Sequence, residues 1–242
     1  MDASADTLAT AAATELFSPD IAEKLFLLLA GVFIAQAVSF FNSYMQKRKL
    51  INSHFEELEQ ISEEVDRLIL GFKRRLQIAS LKGVDYSYCI PVKALIHESY
   101  YKEIVTSLSK TQRISFQLIH GHLEALNIHI EACKNHTIAM SDIKPLREQD
   151  CVRWAEDSVS GFTASKVLQW HIRHHIKNRK NPTLIFGDAD HQHYTKFFQD
   201  ALDEANDLKN NPSADLSPED FEKVYNPNSF GSEFQNIHAE RI

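Results

Sequence analysis

The densest chemistry in this chain is a run of cations between positions 166 and 180. Lys166, Arg173, Lys177, Arg179 and Lys180 are interleaved there with His171, His174 and His175, beside Trp170. Arginine forks onto two phosphate oxygens and lysine adds a point charge. Protonating His174 or His175 would strengthen such a site as the pH falls toward about 6. The chemistry this predicts is recognition of a phosphate-bearing ligand: a nucleotide, RNA or the anionic inner leaflet of a membrane. Arg173, Lys177 and Lys180 recur at helical spacing, which gathers their charge on one side, with Ile172 and Ile176 on an adjacent apolar stripe. Lys166, Arg173, His174, Lys177, Arg179 and Lys180 are therefore the candidate ligand-binding residues. A solvated face, or docking of the chain's own acidic C-terminal segment, are the other uses of such a surface.

The chain holds 12 histidines. His122, His129 and His136 recur every seven residues, at the edge of a heptad seam, where polar rings shield an apolar stripe or make a proton-sensitive contact. His191 and His193 lie near Asp188 and Asp190. None of these has HExxH or zinc-finger spacing, so no metal site is expected. No cofactor is expected either, since phosphate-loop, nucleophile-elbow, dinucleotide-binding and kinase patterns are all missing from the sequence.

Arg113 and His120 are separated by six residues in a helical stretch. That spacing resembles the loose Arg-x(4–6)-His motif of the HEPN ribonucleases. The resemblance covers these two residues and implies, as an alternative reading, RNA cleavage at the 2′-hydroxyl by Arg113 and His120. The leading expectation is a protein that is not an enzyme, with no catalytic residues.

Positioning of these groups begins at the other end of the chain. From Leu25 to Gln46 there are 22 consecutive uncharged residues, about 33 Å of helix against a bilayer core of about 30 Å. Residues 1–24 carry Asp2, Asp6, Glu15, Asp20 and Glu23 against Lys24 alone, the wrong sign for a signal peptide. The expectation is an uncleaved single-pass transmembrane helix over 25–46, with the lipid bilayer as its partner. Lys47, Arg48 and Lys49 follow the span, which by the positive-inside bias places residues 1–24 outside and the C-terminal part in the cytoplasm, at the inner (cell) membrane. Cys89, Cys133 and Cys151 form no framework pattern, in keeping with a reducing compartment. Gly31, Ala35, Ser39 and Ser43 share one stripe of the span, with Gln36 nearby, and predict a homo-oligomer through close helix approach.

Beyond the span, Ile51, Phe55, Leu58, Ser62, Val65, Ile69, Phe72, Leu76 and Ala79 fall at 4-3 spacing. This is a heptad seam on one long helix, with Glu56, Glu57, Glu59, Glu63, Glu64 and Asp66 on its other faces. Further helices are expected over 92–108, 108–138, 147–180 (as one or two pieces) and 192–209. Thr183–Phe186 reads as a short strand or a packed linker. Residues 47–180 carry a net charge of +5 and residues 181–242 of −8. The expected organisation is mostly α: an acidic external segment 1–24, a transmembrane helix 25–46, a cytosolic helical bundle 47–209, and a flexible acidic tail 210–242 open to a protein partner.

The functional expectation follows from that layout. It is an oligomeric membrane effector or sensor whose cytosolic bundle binds an anionic ligand, nucleotide or RNA, and signals to the span. The layout resembles membrane effectors of bacterial antiviral defence systems, by analogy of arrangement alone. The alternatives are the membrane-tethered ribonuclease and a scaffold subunit of an envelope complex.

Overall fold

The structure is a computed structural model that describes residues 19–81, 83–84, 86–141, 147–211 and 240–241. Five α-helices lie among the described residues: α1 (Pro19–Ser80), α2 (Leu95–Ile104), α3 (Lys110–Ser141), α4 (Glu148–Lys177) and α5 (Ala189–Asn210). A 3-10 turn, Val105–Ser107, follows α2. Segments β1 (Gly83–Val84) and β2 (Glu240–Arg241) form a two-residue antiparallel bridge with Gly83 opposite Arg241. The chain divides into two compact units between Ile51 and Asn52.

In the first unit, α1 begins at a proline, a residue whose fixed φ and missing N–H suit a first helical turn. The stretch from Leu25 to Phe41 is apolar and exposed nearly throughout. It is the only stretch among the described helices long and apolar enough to cross a membrane. Gly31, Ala35, Gln36, Ser39 and Ser43 are all exposed, and a side chain at Gly31 would meet nothing within 4 Å. The expected external segment lies almost wholly outside the described residues, as does the expected tail apart from 210–211 and 240–241.

The second unit is the bundle. It starts at Asn52, and its first buried side chains are His54 and Phe55. The heptad seam of α1 is its core face: Phe55, Leu58, Val65, Phe72 and Leu76 are buried, with Ile61, Leu68 and Ile78 widening the stripe. On α3 the buried face is Phe116, Ile119, Leu123, Leu126, Ile130, Cys133, Thr137 and Met140, again spaced by threes and fours.

The remaining core helix, α4, is buried over much of its circumference and carries small polar residues inward. Ser158, Thr163 and Ser165 each donate to the carbonyl four residues back, on Trp154, Val159 and Gly161, so none of these hydroxyls is orphaned. Residues 148–177 form one continuous helix, not two. Thr183–Phe186 forms no strand; it runs as coil into a turn at Gly187, whose φ of 86° suits glycine.

Helix starts are set by side chains. Ser109 Oγ accepts from Gln112 N while Gln112 Oε1 accepts from Ser109 N, a reciprocal capping box opening α3. Asp188 caps α5 by accepting from His191 N at 2.7 Å. At α2 the cap position is Ala94, which has no side-chain acceptor. Its acceptor comes from α1: Glu57 takes the N–H groups of Ile96 and His97 on its two oxygens, at 2.6 and 2.8 Å. Glu57 is thus buried although it lies off the heptad seam of α1. Its negative charge sits at the positive end of a helix dipole. Asn127 of α3 pins the segment before α2, accepting from Val92 N and donating to Val92 O.

A buried cation ties three elements together. Arg75 donates to Ser158 Oγ of α4, to Thr137 Oγ1 of α3 and to the carbonyl of Ser87, with its guanidinium 4.3 Å above the Trp154 ring. A fork of fixed N–H directions suits this three-way tie better than an ammonium would.

Candidate functional site

The expected cationic residues occupy the C-terminal half of α4 and the segment after it. Three of them pair with partly exposed acids of α1 and α5. Lys166 pairs with Glu204 of α5 at 3.0 Å and lies over the Phe162 ring. Arg173 pairs with Asp66 of α1 at 3.2 Å, and Arg179 with Glu59 at 2.8 Å while covering the Phe55 ring. The basic run of α4 is thus partly neutralised by α1 and α5. Sequence spacing marks the cations but carries no sign of these partners, which lie tens of residues away.

Arg173, His174 and Lys177 nonetheless share one cleft. It has a volume of about 440 Å³, lies against α4 and α5, and is lined also by Gln169, Trp170, Asn178, Asp190, His193 and Phe197. Trp170 stacks on His174 with ring centroids 4.9 Å apart and planes 7° from parallel, and its indole N–H donates to His193 Nδ1 at 3.2 Å. Asp66, accepting from both Gln169 and Arg173, has its carboxyl pushed above the usual range by burial, which outweighs the lowering by Arg173. The cleft therefore has an aromatic wall, a lysine (Lys177) with no acid at bonding distance among the described residues, an arginine already oriented by Asp66, and one acid, Asp190. Aromatic rings beside cations are the chemistry that suits a planar group and a phosphate. Lys180 is exposed beyond the cleft, and Lys166 and Arg179 do not line it.

Of the residues that line it, Asp190, His193 and Phe197 are not among the sequence candidates. The sequence groups His191 and His193 with Asp188 and Asp190, but without metal-ligand spacing, and gives no sign that Asp190, His193 or Phe197 lines a cleft. The structure gives Asp188 to helix capping and His193 to Trp170.

His175 is turned inward, away from the cleft. Its Nδ1 bonds Ser115 Oγ at 2.7 Å and its ring packs against Phe55 and Phe116. It belongs to a second cluster around Phe116 that holds His54, His97, Tyr101 and His120. Arg113 and His120 both lie on α3, and the His120 ring stacks on His97. Burial, reinforced by His97, His54 and His175, pushes His120 down to about 3; burial and His54 push His97 down to about 4. The phenol of Tyr101 is raised by burial, partly opposed by Arg113. His97 and His120 are therefore neutral at pH 7, and their rings stack on each other with centroids 3.3 Å apart.

The heptad histidines sit along the α3–α4 contact. His122 stacks on His171; His129 Nε2 donates to the carbonyl of Asp157, and His136 Nδ1 to its carboxylate. Among the described residues no group of three or more His, Cys, Asp or Glu is arranged to hold a metal ion. No family model matches this chain, and no curated protein or solved structure is similar to it at a significant level.

Proposed function

We propose that this protein is a membrane-anchored helical-bundle protein whose α4–α5 cleft binds a phosphate-bearing planar ligand, a nucleotide or the end of an RNA. The single observation that carries the reading is that Arg173, His174 and Lys177 line one cleft together with Trp170 and Phe197. Cations alone suit any polyanion; cations beside stacked rings suit one that carries a base. The apolar stretch of α1 supports the anchor, and Lys47, Arg48 and Lys49 after it support a cytoplasmic bundle. In this reading the protein is a sensor or effector at the inner membrane, self-associating, whose ligand state is transmitted to the span.

The test is binding by the full-length protein in detergent, with a panel of cyclic and linear nucleotides and short RNAs at two salt concentrations. Binding that weakens with salt and is lost in Lys177→Glu supports the cleft. Lys177 is the discriminating position because, unlike Arg173, it pairs with no acid among the described residues. Undiminished binding by Lys177→Glu moves the site elsewhere, and no binding to any member of the panel overturns the reading. Cleavage of the RNA, lost in Arg113→Ala, establishes the ribonuclease alternative instead.

A further inference from the structure

Helix α3 is apolar on two faces. Opposite its buried face, Ile114, Leu118, Gly121, Ala125, Ile128 and Ala132 recur at the same alternation of four and three, and every one is exposed. Ile114 is 53%, Leu118 40% and Ile128 67% exposed, and a side chain at Gly121 would meet nothing within 4 Å. A 4-3 repeat held over this length is the spacing of a seam between two helices, and Gly121 and Ala125 allow close approach at its middle.

We propose that this face docks a second copy of the chain, α3 against α3, with the two helices parallel. The inference rests on the self-association in the function proposed above, and it names the surface responsible. The occupant is argued from the two edges of the stripe. With Leu118 and Ala125 at one seam position and Gly121 and Ile128 at the other, Glu124 and Glu131 form one edge and His122, His129 and His136 the opposite one. In a parallel pair Glu124 lies across from His129 of the second copy, and Glu131 from His136. An antiparallel pair sets glutamate against glutamate. Asp157 fixes the imidazole edge by accepting from both His129 and His136. Because the stripe meets its own copy across a two-fold axis, one surface satisfies both partners.

Disulfide trapping of the full-length protein tests this. In a Cys89→Ser, Cys151→Ser background, Ala125→Cys and Ala132→Cys are oxidised separately. A parallel pair brings each position beside itself, so both variants are expected to trap as dimers, while Gln199→Cys on α5 does not. Trapping of only one of the two, or of neither, overturns the parallel pair. As a second measurement, Leu118→Glu with Ile128→Glu should weaken trapping of Ala125→Cys at least tenfold at equal protein concentration; unchanged trapping overturns the proposal. Nucleotide binding measured on the same variants separates the two readings, since trapping without binding removes the cleft and leaves the pair.

Discussion

The ring of Phe72 on α1 fills the space that a side chain at Gly161 on α4 would occupy. A Cβ built at Gly161 would overlap three of the ring's carbons. Phe72 is almost completely buried, so the ring has little room to swing aside. In a helix interior alanine is favoured over glycine by about 1 kcal/mol, but overpacking a rigid core is unfavourable by ~1–3 kcal/mol. Gly161→Ala is therefore expected to destabilise the bundle in chemical unfolding, and Phe72→Leu in the same chain to recover part of the loss.

Glu57→Gln replaces one of two acceptors at the start of α2 with an amide that cannot accept. The expected loss is ~1–2 kcal/mol, from one hydrogen bond and the charge at the helix end. Hydrogen exchange should speed up at Ile96 and His97 more than at the amides of α3, which distinguishes a lost cap from general loosening.

Arg75→Met keeps much of the side chain's length and removes its bonds to Ser158, Thr137 and Ser87. Hydrogen bonds from a charged group suggest a loss of ~2–3 kcal/mol. Arg75→Lys should recover only part of it, because one ammonium cannot reach three acceptors in fork geometry. Thermal unfolding of both variants checks the order.

Acid should weaken the bundle through its histidines. His120 is held at about 3, and His97, His171 and His175 at about 4, chiefly by burial. In the unfolded chain these rings titrate near 6.5. The unfolded state therefore binds more protons between about 6.5 and 4, and stability falls as pH drops through that window while staying level above it. The melting temperature should fall on the order of ten degrees from pH 7.5 to 4.5. Replacing His171 with Gln should flatten the slope.

The apolar periodicity makes the core faces legible before folding. Phe116 to Cys133 on α3 recur at spacings that only a helix brings to one side, and the structure buries them, as it does Phe55, Leu58, Val65, Phe72 and Leu76 of the α1 repeat. The polar interior is less legible. Glu57 reads as one more acid off the heptad seam, because its partners are backbone N–H groups 39 and 40 residues on, which carry no sequence signature. Nothing in the spacing of the sequence singles out Arg75 either, since its acceptors Thr137 and Ser158 lie 62 and 83 residues on. In the candidate cleft, Arg173, His174 and Lys177 are legible from helical spacing, whereas Asp190 and Phe197 depend on how α5 returns along α4. The acids that neutralise Lys166, Arg173 and Arg179 are hidden for the same reason: ion pairing between helices leaves no periodic trace.

The three-way tie at Arg75 also sets an order of events during synthesis. Thr137 and Ser158 lie 62 and 83 residues further along the chain. When α1 leaves the ribosome, its guanidinium has neither hydroxyl to bind and keeps its hydration shell. Sealing the interior around it therefore waits until α4 has been made. A nascent chain arrested before Ser158 should remain open to protease near Arg75, and one long enough to release all of α4 should not.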